Sequence, residues 1–138
     1  MTTTMRTAAA VAAALTLMPA LAACSSVDAP EAERVATEFA RLAGTEPGAA
    51  CALLAPRTLQ QVKEDGDGDC AEGLKSDSPE PASEVRSVSV AINGAQVVMT
   101  GQVLFLARFD SGWRVLAAGC KRDAGDDAVP YECSVKGA

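Results

Sequence analysis

Five cysteines, Cys24, Cys51, Cys70, Cys120 and Cys133, hold most of the reactive chemistry in this 138-residue chain. A thiol can take a lipid, form a disulfide or bind a soft metal, and spacing and compartment decide which. No two of the five have Cys-x-x-Cys spacing and the chain has no histidine. Ser-His-Asp and Cys-His catalysis and every His-ligated metal site are therefore excluded. The acidic run Glu64-Asp65-Gly66-Asp67-Gly68-Asp69 starts like a calcium loop, with acids at alternate positions. Cys70 then stands where such a loop needs glycine and Ser76 where it needs a bidentate glutamate, so the run reads as an acidic surface turn. No metal and no cofactor are expected. Arg86, Arg108 and Arg114 could anchor an anion, but arginines on strands usually face solvent. The single tyrosine, Tyr131, follows a proline, and no Asp or Glu falls between Val85 and Phe109. That leaves no general base where a strand-lined substrate site would need one, and the chain reads as a non-enzyme with no catalytic residue.

The first 24 residues carry an address. Arg6 precedes an apolar run from Ala8 to Leu17, which closes on Leu21-Ala22-Ala23-Cys24. This is the layout of an export signal with a small-residue cleavage site, and the run is shorter than the roughly 20 apolar residues a membrane span needs. The tetrapeptide resembles the lipobox of bacterial lipoproteins, in which the cysteine thiol attacks a lipid donor before the leader is removed. That resemblance implies cleavage after Ala23, lipidation of Cys24 and a polar tether starting at Ser25-Ser26. A diacylglyceryl group supplies the two chains that stable anchoring requires. The expected organisation is a leader over 1–23, a lipidated tether over 24–29 and one domain over 30–138. Loss of the leader leaves 115 residues, with 11 basic and 18 acidic groups and a net charge of -7. Such an acidic surface argues against nucleic acid or anionic headgroups as partners.

The other four cysteines are an even set in an oxidising compartment, which points to two disulfides. Four cysteines allow three pairings. We take Cys51 with Cys70 and Cys120 with Cys133, because each pair is close in sequence and lies within one half of the domain. Each bridge is worth about 3 kcal/mol in the chain-entropy model.

The elements that must position these groups change character midway. Asp28-Ala29-Pro30-Glu31 has the form of a capping box and predicts a helix from about Pro30 to Ala43. Its apolar stripe is Ala32, Val35, Ala36, Phe39, Leu42 and Ala43, and Gly44 ends it. Pro47 opens a second short helix to Leu54 and Pro56 a third to about Lys63; a further helical turn covers Ala71 to Lys75. The stretch from Asp77 to Ala82, with Pro79 and Pro81, is a linker. From Glu84 the period becomes 2. Val88, Val90 and Ile92 lead to a hairpin at Asn93-Gly94, followed by Ala95, Val97 and Met99 and a turn at Thr100-Gly101. The strands Val103 to Phe109 and Trp113 to Ala118 are apolar on both faces, which suits strands covered by sheet on one side and helix on the other. Asp110-Ser111-Gly112 joins them, Tyr131 to Val135 is a last strand, and Trp113 reads as a packing residue first.

Helices followed by an antiparallel meander define an α+β domain. The order of elements, together with the Gly112-Trp113-Arg114-Val115 hairpin return, resembles the NTF2-like cone fold, including its SnoaL and ketosteroid isomerase relatives. The pieces Ala50 to Leu54, Val103 to Phe109, Ala118-Gly119-Cys120 and Tyr131-Glu132-Cys133 also resemble small actinobacterial lipoproteins. The resemblance implies a curved antiparallel sheet with helices packed on it, and in the enzymes of that family a pocket between the two layers. No catalytic residue of the family maps onto this chain. The function expected is that of an envelope lipoprotein with a non-catalytic binding or interaction domain on the extracytoplasmic face of a cell membrane. Its partners are the membrane, through Cys24, and a small ligand or another envelope protein. The alternatives are a carboxylate-based isomerase or dehydratase and a structural subunit of an envelope complex.

Overall fold

The computed structural model of the chain describes residues 28–77, 79–122 and 127–138. Four helices come first: α1 (Ala29–Thr45), α2 (Pro47–Ala50), α3 (Pro56–Asp65) and α4 (Cys70–Asp77), with a 3-10 turn at Cys51–Leu53. Prolines sit at the first turns of α1, α2 and α3, where a missing N–H costs nothing. Five strands follow: β1 (Val85–Ala91), β2 (Gly94–Met99), β3 (Gln102–Phe109), β4 (Gly112–Cys120) and β5 (Val135–Lys136). They pair in chain order as one open antiparallel sheet. The fold is α+β, with the helices on one face of the sheet.

Side-chain alternation divides the sheet. Val88 pairs with Val97 and Val97 with Leu104, while Val90, Ala95, Leu106 and Val115 form a second rung. These rungs face α1, whose stripe of Ala32, Val35, Ala36, Phe39, Leu42 and Ala43 is buried against them. Phe39, Leu104, Leu106 and Trp113 fill the layer between helix and sheet, each at most 1% exposed. Burying a side chain of that size contributes roughly 1.5–3 kcal/mol. The outer edge of β4 is covered by chain rather than left open: Ala55 N–H donates to the Val115 carbonyl at 2.8 Å and Thr58 Oγ1 to the Leu116 carbonyl at 2.9 Å.

The structure corrects several sequence expectations. Asp28 precedes α1 but its carboxylate makes no cap bond; it pairs with Arg108 instead. Gly44 does not stop α1, which runs on to Thr45 and ends with Glu46 N–H bonded to the Leu42 carbonyl at 2.7 Å. The β1–β2 turn is Ile92-Asn93, because Ala91 pairs with Gly94. Moving the turn by one residue shifts the partners by two, so the same faces stay buried and the alternation cannot tell the registers apart. The last strand is only Val135–Lys136; Tyr131 lies before it, next to a single bridge between Lys121 and Glu132. Among the described residues no second sheet covers the outer face of β3 and β4, and Leu116 there is 39% exposed.

Helices α3 and α4 approach closely at two glycines, Gly66 and Gly73. A Cβ on Gly73 would lie 1.9 Å from the Val62 carbonyl oxygen, a backbone atom that cannot swing aside. Gly73→Ala is therefore expected to lower stability in urea by about 1–3 kcal/mol, the usual cost of overpacking. Gly48→Ala, at an open helical site with no atom within 4 Å, should leave stability unchanged or slightly raised. Equal midpoints for wild type and Gly73→Ala would contradict this packing.

Candidate functional site

The outer face of the sheet holds the clearest cluster. Ser89, Gln96, Phe105 and Ala117 form one cross-strand row there. Tyr131 is brought onto it from a distant segment, since Cys120 is bonded to Cys133 and Lys121 and Glu132 exchange two backbone hydrogen bonds of 2.8 Å. The Tyr131 ring meets Phe105 edge-on, with centroids 5.2 Å apart, and its hydroxyl accepts a bond from Gln96 Nε2 at 3.2 Å. The Arg122 guanidinium lies over the same ring at 4.6 Å, an attraction to the negative π face. Next to this cluster runs an open groove of about 330 Å³ lined by Ser89, Ala91, Gly94, Gln96, Phe105 and Leu116. None of these lining residues is charged. Its chemistry is that of contact: an apolar floor, an aromatic edge and one amide to orient a small molecule or a peptide side chain.

Two of the other clefts among the described residues are strongly polar. One of about 440 Å³ is lined by Glu31, Asn93, Arg108, Asp110 and Gly112, and Arg108 within it is already engaged by Asp28. The other, of about 280 Å³, is lined by Arg57, Gln60, Gln61, Glu64 and Ala138. The three strand arginines do not converge. Arg86 is exposed on β1, Arg114 pairs across the outer face with Ala107, and Arg108 reaches the start of α1. The acidic run covers the end of α3 and the α3–α4 connection, where Asp69 accepts the Glu72 N–H at 3.0 Å and so caps α4. Among the described residues, no three His, Cys, Asp or Glu side chains could hold a metal ion.

Cys51 is bonded to Cys70, a bridge spanning 19 residues that ties the 3-10 turn to α4. The second bridge spans 13 residues and fixes the segment that bears Tyr131. Two disulfides indicate an oxidising, extracytoplasmic compartment. Leu21, Ala22, Ala23 and Cys24 lie outside the described residues. Among the described residues, no helix is long and apolar enough to cross a membrane.

Sequence reasoning missed Gln102, which is 3% exposed on β3. Its Nε2 donates to the Glu80 and Pro81 carbonyls at 2.9 and 3.2 Å and its Oε1 accepts the Gly119 N–H at 3.0 Å. One amide thus holds the proline-containing linker against the end of β4. Gly119 turns there with φ +64, and a Cβ would meet Ser134 Oγ at 2.3 Å. No local signal could have revealed this, since all three partners are distant in sequence. Trp113 is buried as expected, with Nε1 lacking a hydrogen-bond partner among the described residues.

Comparison with known protein families, with curated proteins and with solved structures finds no match to this chain.

Among the described residues, the hydrogen bond from Arg41 holds the Glu38 carboxyl below its ordinary value, and Asp77 is moved the other way. Burial pushes the Asp77 carboxyl above its ordinary value, and the nearby Asp65 charge adds to this. Asp77 lines none of the three clefts above. The folded protein holds this proton more tightly than the unfolded chain does, so ionised Asp77 costs stability at neutral pH, and the cost disappears as pH falls through the folded value. Asp77→Asn is expected to raise the urea midpoint at pH 7, with the gain vanishing below the ordinary value of 3.8. An unchanged midpoint at pH 7 contradicts the assignment.

Proposed function

We propose that this chain is an extracytoplasmic lipoprotein, held on a membrane through lipid on Cys24, whose domain binds a small ligand or an envelope protein without turning it over. The observation that carries the non-catalytic reading is the content of the layer between α1 and the sheet. The NTF2-like resemblance implies a pocket there, and in this chain Phe39, Leu104, Leu106 and Trp113 occupy the space. The buried polar side chains among the described residues are Thr58 and Gln102, and both are engaged by backbone groups. A carboxylate enzyme needs an acid or base in contact with its substrate, and this layer offers none. Binding then falls to the surface, where the groove beside Phe105, Gln96 and Leu116 supplies apolar area with an orienting amide. The anchored reading is supported by the lipobox tetrapeptide, by a leader whose apolar run is too short to span a membrane and by two disulfides. An NTF2-like assignment for the domain rests on the order of its elements and the β3–β4 return.

Fractionation tests the anchor. Wild-type protein should remain in membranes through carbonate washing and leave with detergent, while a Cys24→Ala chain whose leader is replaced by one cut without lipidation should be released; retention of that chain would sink the anchored reading. Native mass spectra of detergent-extracted protein test the groove, since Leu116→Asp should remove a labile adduct seen with wild type.

A further inference from the structure

The same end of the sheet collects three features that no binding role for the outer groove explains. The β1–β2 turn presents Ile92, which is 92% exposed and has φ +54. A β-branched side chain is disfavoured in that left-handed region, so this apolar group is held out in water by a backbone that strains to do so. The β3–β4 turn beside it presents Phe109, 38% exposed. The two turns are bonded to each other, since Arg108 N–H donates to the Asn93 carbonyl at 2.8 Å. Arg108 also pairs with Asp28, so the start of the described chain is fixed at this end, and Gly112 lies beside Glu31 of α1.

Only Ser25, Ser26 and Val27 separate Asp28 from Cys24. Even fully extended, four residue steps reach no further than about 14 Å. A lipid on Cys24 therefore brings the membrane surface to the end that carries Ile92 and Phe109. At the opposite end of the sheet the β2–β3 turn is Thr100-Gly101, with no large apolar side chain.

We propose that the Ile92 turn, supported by Phe109, seats in the lipid surface that holds the Cys24 anchor, which fixes the domain with its β1–β2 and β3–β4 turns toward the bilayer. This rests on the lipid-anchored reading. The contact is apolar, and Glu31 and Asp110 near it give no reason to favour anionic headgroups. Seating an apolar tip about 5–10 Å into the headgroup boundary brings the Ala91 and Gly94 end of the outer groove to the surface, with its Gln96 and Phe105 part further along the strands.

The test uses the full mature chain, purified from membranes and reconstituted in phosphatidylcholine vesicles with or without acyl-brominated lipid. Three variants place an indole in turn at the proposed tip, beside it and at the far end: Ile92→Trp, Phe109→Trp and Thr100→Trp. All should float with the vesicles. Brominated chains should quench and unbrominated chains blue-shift the added emission of Ile92→Trp and Phe109→Trp, while Thr100→Trp and the buried Trp113 of wild type stay unchanged. Phe109→Trp keeps the test open if the strained turn rejects Trp at 92. Flotation without quenching at 92 or 109 overturns the seating alone. Quenching at Thr100→Trp equal to that at the tip overturns the orientation. Failure to float overturns the anchored reading and the seating with it.

Discussion

The burial of α1 across the sheet is the constraint on which the rest of the molecule depends. Phe39, Val35 and the alanines between them meet Val97, Leu104, Leu106 and Val115, and Trp113 closes the layer. That layer is packed with apolar side chains, and the groove proposed for a ligand lies on the surface. Because α1 lies along the sheet with its first turn beside the β1–β2 and β3–β4 turns, the same packing fixes which end of the domain is nearest the residue proposed to carry lipid. The Asp28–Arg108 pair marks this placement more than it stabilises it, since a partly exposed ion pair is worth only a fraction of a kcal/mol.

Around that layer the fold is held by a few distant contacts. The Cys51–Cys70 bridge ties the 3-10 turn to α4, Gly73 lets α3 and α4 approach, and Gln102 fixes the linker to β4. The Cys120–Cys133 bridge brings Tyr131 across to Gln96 and Phe105 and so builds one wall beside the outer groove. A rigid surface of this kind suits recognition, since little ordering entropy is left to lose on binding.

Much of the architecture was legible because it is written in local periodicity. Prolines 30, 47 and 56 mark helix starts, and the apolar stripe of α1 and the alternation from Val88 onward give the two halves. What was hidden is non-local. The register of β1 on β2 leaves the same faces buried in either form, so only pairing over the whole sheet selects Ile92-Asn93 as the turn. The Asp28 carboxylate was drawn off its capping role by Arg108, 80 residues away. Phe105 and Leu116 read as strands buried on both faces, whereas a single tyrosine-bearing segment covers part of the outer face and leaves a groove. The candidate site was therefore concealed by the very residues that form it.

The most direct measurement of the account is the intact mass of the protein extracted from its own membranes in mild detergent, under denaturing conditions with and without reductant. The expected mass is that of residues 24–138 plus acyl groups, less four hydrogens for the two disulfides, with the hydrogens regained on reduction. An acyl-free chain, or one whose mass reductant does not change, would contradict the lipid-anchored, disulfide-tied molecule described above.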